Sequence, residues 1–147
     1  MYGHIDRVAL GGDCFTLHPA PLAVLSRWNE PRDLRSTSRT PVQTKNLSGV
    51  AFVAAGATHA MAVKSDGTVW AWGSNERGQR GNGDAYDLYT PKQVLGLSGG
   101  LKLAAGELHS MMVGSDGTGW AWGFNDDGQL GNGNPLYIPL PIQSLLN

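Results

Sequence analysis

Between residues 50 and 95 the apolar positions come in short bursts rather than along a helical stripe. Val53-Ala54-Ala55 is followed by His59-Ala60-Met61-Ala62-Val63, then by Ser65-Asp66-Gly67, then by Thr68-Val69-Trp70-Ala71-Trp72. Two β-prone runs joined by Ser-Asp-Gly predict a hairpin, with Gly67 supplying the positive φ that a side chain resists. A Gly/Asn-rich loop, Gly78 to Gly83, leads to Pro91 and the strand-like Lys92-Gln93-Val94-Leu95. Proline at the start of a strand stands where its missing N–H does least harm. No segment sustains a 3.6-residue apolar spacing, so the chain reads as all-β.

The pattern then returns at an offset of fifty. SDGTVWAWGSNERGQRGNG, residues 65 to 83, reappears as SDGTGWAWGFNDDGQLGNG, residues 115 to 133, and across positions 54 to 83 the offset pairs 20 identical residues of 30 without a gap. Thr40-Pro41-Val42-Gln43 likewise stands fifty before Thr90-Pro91-Lys92-Gln93, and Val8-Ala9-Leu10-Gly11 resembles Val53-Ala54-Ala55-Gly56 at an offset of forty-five. Between these ends, residues 17 to 36 lack the SDGT turn, the Trp-Ala-Trp-Gly run and the Gly-Gln-x-Gly loop. Three segments are therefore expected. Residues 1–40 form a degenerate or frame-disrupted first repeat, 41–90 a complete repeat, and 91–147 a second with a C-terminal closing strand.

About four short strands per fifty residues, with periodic Gly and Trp, is the signature of a β-propeller blade. A blade packs both faces on its neighbours, so its strands need no polar side. Alanine and glycine let sheets approach, and tryptophan fills the wedge, at roughly 2–3 kcal/mol for each fully buried ring. Closed propellers use about four to eight blades. The sequence predicts two complete blades and a degenerate one, an open stack rather than a ring, with apolar faces that invite self-association.

Composition narrows the function classes. Formal charge is −1, which gives no global pull toward nucleic acid or an anionic membrane. Arg27, Arg32, Arg35 and Arg39 form a basic cluster, but Glu30 and Asp33 interrupt it. Cys14 is the single cysteine, so no internal disulfide forms. No apolar run approaches the roughly 18 residues of a membrane span. The opening MYGHIDRVAL has no signal-peptide pattern, which favours a cytoplasmic location, or an extracellular one if the chain is truncated at its N-terminus.

At VAAGATHAMAVKSDGTVWAWGSNERGQRGNG the chain resembles the regulator of chromosome condensation repeat family, over residues 41 to 143 and at the ends of residues 8 to 40. The resemblance implies four-stranded blades in a typically seven-bladed propeller. Within that family it implies three functional classes: a non-enzymatic protein-binding scaffold, an exchange-factor-like regulator of a small GTPase, or an inhibitor of an extracellular enzyme such as a β-lactamase. Arg80 in place of Leu130, and Gly119 in place of Val69, depart from the pattern and are expected to weaken their blades.

His59 and His109 occupy one position of the repeat, so they lie a blade apart and read as structural, not as metal ligands. Asn125-Asp126-Asp127-Gly128 lacks the alternating order and distal Glu of a calcium loop and reads as turn chemistry. The GNG loops lack the Lys-Ser/Thr and helix of a phosphate cradle. No catalytic constellation, cofactor site or metal site is expected. Partner specificity should lie where the repeats disagree: Ser74, Glu76 and Arg77 against Phe124, Asp126 and Asp127. Tyr86, Tyr89 and Tyr137 add aromatic anchors of the kind that interfaces favour. The expected partner is a protein.

Overall fold

The computed structural model of the chain describes residues 7–10, 14–17, 24–26, 42–44 and 47–144. The strands fall into three four-stranded sheets. The first holds β1 (Arg7–Leu10), β2 (Cys14–Leu17), β3 (Val24–Ser26) and β4 (Val42–Gln43). The second holds β5 (Val50–Ala55), β6 (His59–Lys64), β7 (Val69–Gly73) and β8 (Leu88–Gln93). The third holds β9 (Gly100–Ala105), β10 (His109–Gly114), β11 (Gly119–Gly123) and β12 (Ile138–Gln143). Each is an antiparallel meander in sequence order, and the three do not close into a ring.

Strand register reproduces the repeat. Gln43 pairs Leu25, Gln93 pairs Trp70, and Gln143 pairs Trp120, so the Thr/Leu-Pro-x-Gln phrase closes all three sheets at one position. The sheets therefore end at Gln43, Gln93 and Gln143, a phase a few residues later than the units counted from position 41. In residues 17 to 36, Leu17 and β3 pair within the first sheet. The rest of that stretch, expected to be degenerate or frame-disrupted, lies outside the described residues, as do Arg27, Arg32, Arg35 and Arg39.

Pro91 does not start its strand. It sits inside β8, between Leu88 paired with Gly73 and Lys92 paired with Ala71, where the ladder skips a step. The outermost strand tolerates it because a bulge there needs no N–H from proline.

The hairpin that joins β6 to β7 is built from a glycine and three side chains. Gly67 adopts φ 81°. Asp66 Oδ1 accepts from Thr68 N at 2.9 Å and Thr68 Oγ1 at 2.6 Å, and Trp70 Nε1 donates to Thr68 Oγ1 at 3.0 Å. Asp116, Thr118 and Trp120 repeat the network at 2.9, 2.6 and 3.1 Å. The threonine hydrogen bonds hold both carboxyls below the usual aspartate range.

Alternation along the strands divides the core. Val53, Ala60, Ala62 and Trp72 of the second sheet point one way, with Leu47 and Val50. Met61, Val63, Val69 and Ala71 point the other way and meet Leu103, Met112 and Trp122 of the third sheet. A strand buried on both faces has no polar side, hence the run of buried residues from His59 to Val63.

Candidate functional site

The second and third sheets are locked by a buried polar node. Ser110 Oγ donates to the Gln79 carbonyl at 2.6 Å, and Trp122 Nε1 donates to the same oxygen at 2.9 Å. His59 Nε2 lies 2.8 Å from Ser110 Oγ. Because the one hydroxyl proton goes to Gln79, His59 donates through Nε2, and Nδ1 is left as a buried acceptor without a hydrogen-bond partner among the described residues. Burial first, and the nearby His109 second, push the His59 pKa down to about 4, so the ring is neutral at pH 7. His59 is thus tied to the Ser110 hydroxyl, which in turn is bonded to the Gln79 backbone, and His109 stands at the matching place of the third sheet. Gly81, at φ 72°, lets the loop approach: a Cβ there would stand 2.6 Å from Trp122 Nε1.

The loops joining third and fourth strands are folded around one buried asparagine each. Asn75 Oδ1 accepts from Arg80 N at 2.9 Å, and its amide donates to Asn82 Oδ1 at 3.0 Å and to Asp84. Asn125 accepts from Leu130 N and donates to Asn132 Oδ1, both at 2.8 Å, and to the Asn134 carbonyl. Each loop is thus cross-linked through its own buried asparagine side chain. In the second sheet Arg80 is also buried. It donates to the Tyr86 carbonyl and lies 3.8 Å from Asp84 Oδ1, while Nε and Nη2 have no hydrogen-bond partner among the described residues. Burial pulls its pKa down, opposed by Asp84 and Asp87.

The residues that differ between repeats ride on these loops. Arg77 stacks its guanidinium 5.6 Å from the centre of the Phe124 ring, joining loops of adjacent sheets. Glu76, Asp126 and Asp127 are exposed; Ser74 and Phe124 are half-buried, with backbone N–H groups donated to Thr58 and Leu108 carbonyls. Tyr86 is 77% exposed and Tyr137 48%. Tyr89 lies within β8. The loop of the second sheet also touches the start of β12, where Gly83 N donates to the Pro139 carbonyl at 3.0 Å, so Leu136 and Leu140, both exposed, stand near the same rim.

Residues 66–113 and 116–147 match the regulator of chromosome condensation (RCC1) repeat, and residues 50–79 match a second form of the same repeat. The chain belongs to the RCC1 repeat family. A 47-residue stretch is 47% identical to E3 ubiquitin-protein ligase HERC2 of Homo sapiens and of Mus musculus, covering 31% of this chain and 1% of theirs. Among solved structures, human WBSCR16 superposes with TM-score 0.75 at 19% identity over 93% of this chain and 39% of its own. Yeast RCC1 (Prp20) bound to Kap60 gives 0.73 at 23%, over 96% and 37%. Prp20p of Saccharomyces cerevisiae gives 0.72 at 25%, over 96% and 39%. The chain spans less than two fifths of each of these solved chains.

The repeat also explains residues that the variable-position criterion passed over. Asn75, Asn125 and Gln79 organise the RCC1 loops, and the signal for them was their return at an offset of fifty or the repeated Gly-Gln. Leu136 and Leu140 carried no such signal, because their exposure is decided by neighbouring loops.

Proposed function

We propose that this chain is the blade-bearing part of a larger, non-enzymatic RCC1-repeat scaffold that holds a protein partner on the rim of its strand-3-to-strand-4 loops. The observation that carries the reading is a division of labour. Repeated positions bond each other, while the non-repeating Arg77 and Phe124 and the exposed Tyr86, Leu136 and Tyr137 lie on two touching loops, with the exposed Leu140 of β12 beside Gly83. Aromatic and arginine anchors on a rigid base lose little entropy on binding. The test places a photo-crosslinking residue at position 86, 137 or 95 in cells. A discrete adduct from 86 and 137, lost in the Tyr86→Ala/Tyr137→Ala chain at unchanged stability, supports the rim; labelling from 95 alone, in the connection between sheets, opposes it.

A second reading, regulation of a small GTPase by nucleotide exchange, draws on the likeness to Prp20p, whose binding to Gsp1p and histones has been described. A nucleotide-release assay separates the two: acceleration by the chain supports exchange, and release at the unassisted rate opposes it.

A further inference from the structure

The trailing face of the third sheet is not a copy of the trailing face of the second. In the second sheet, Val69 is fully buried against the third, and Phe52 and Val94 extend that contact. Fifty residues on, the matching positions hold Gly119, Lys102 and Ser144. Bulk is lost in the middle and polarity is gained at the edges.

The interface that is already made shows what this loss selects. Val69 occupies so much of the gap that the strand packed on it carries Gly100: a Cβ at 100 would stand 3.0 Å from Val69 Cγ2 and 3.2 Å from Met112 Sδ. A large residue on one sheet demands a glycine on the next. At Gly119 the relation is inverted. Among the described residues a Cβ there would meet only Ser144 Cβ, at 3.7 Å, and the space above forms a concavity of about 340 Å³ lined by Met111, Val113, Gly119 and Trp120. Val113 is 47% exposed, whereas Val63 at the same place in the second sheet is 2% exposed. The polar half of the node is present too, because His109 and Gln129 stand where His59 and Gln79 stand.

We infer that this face receives a further four-stranded blade whose first strand carries a bulky apolar residue at the place held by Gly100. The blade also carries serine and tryptophan at the places of Ser110 and Trp122, to bond His109 and the Gln129 carbonyl. The inference rests on the proposed reading of the chain as part of a larger propeller and adds the identity of the neighbour. A second copy of this chain is the poorer occupant. By strand register Cys14 takes the place of Ser110 in its first sheet, opposite Leu10 as Ser110 is opposite Ala105.

The test appends a second copy of residues 98–147 directly after Asn147, which preserves the fifty-residue spacing. One version keeps the copied glycine and another carries Gly100→Leu in the copy alone; each is made with Gly119 or with Gly119→Val in the parent chain. Melting temperature and hydrogen-exchange protection of the copied Trp122 indole N–H are read. With Gly119, leucine in the copy raises Tm by about 4–8 °C over glycine, and with Gly119→Val the order reverses. A protected indole with no dependence on residue size overturns the inference and leaves the scaffold reading standing. An indole that exchanges freely in all four proteins overturns the docking of a blade on this face, and with it the larger-propeller reading.

Discussion

His59 Nε2 and Ser110 Oγ lie 2.8 Å apart across the gap between the second and third sheets, fifty-one residues apart in the chain. The serine is the hinge of the contact, since it accepts from the histidine and donates onward to Gln79. Ser110→Ala strips both bonds and leaves the histidine N–H buried without an acceptor. A loss of about 1–3 kcal/mol is expected in urea unfolding, with strand content unchanged. A change under about 0.5 kcal/mol, the range of a neutral surface substitution, argues that the node is not what binds the sheets.

Stability should depend on pH through His59. The folded-state pKa is lowered, to about 4, whereas an unfolded histidine titrates near 6.5. The unfolded chain therefore binds the proton first. The contribution is fully present above pH ~6.5, is lost as pH falls toward ~4, and amounts to about 3 kcal/mol. His59→Gln flattens that part of the stability curve, a result checked by denaturant midpoints from pH 4 to 7.5. An unchanged slope in His59→Gln assigns the acid sensitivity elsewhere.

Two strand glycines should respond in opposite ways. Gly100→Ala thrusts a methyl group against Val69 and Met112 and costs about 1–3 kcal/mol. Gly119→Val meets open space and gains up to about 1 kcal/mol from β-propensity, despite lying at the matching face of the next sheet. Thermal melts of the two variants decide it, and equal signs contradict the packing relation.

Arg80 was expected to weaken its blade, and the structure supplies a way to measure that. Its guanidinium is buried with two nitrogens unpaired, yet one N–H holds the Tyr86 carbonyl. Arg80→Leu, the residue of the third sheet at position 130, should raise the unfolding free energy by about 1 kcal/mol in denaturant titrations, since well-packed apolar replacements of buried ions are often stabilising. The 84–87 loop should at the same time become more open to limited proteolysis. A stabilised chain with an equally resistant loop would separate the Tyr86 contact from loop order.

Much of the fold was legible because its determinants are local. Asp66, Gly67, Thr68 and Trp70 bond within four residues, so their return at 116, 117, 118 and 120 announces the same hairpin. Pro91 was misplaced at a strand start, because a bulge depends on the partner strand and leaves no mark in the phrase Thr-Pro-Lys-Gln. At the rim, the disagreement between repeats pointed to Arg77 and Phe124 but not to their stacking on each other.

By itself the sequence determined the fifty-residue period, the four-stranded unit and the RCC1 kinship. These rest on short-range hydrogen bonds and on alternation along single strands, which the order of residues encodes directly. Only the tertiary structure decided that Ser110 and Trp122 converge on one carbonyl of the preceding sheet, and that Val69 forbids a side chain at 100 while Gly119 leaves a hollow. Such relations join residues about thirty to fifty positions apart through the stacking of whole sheets, and the distance between two faces is set only when both are in place.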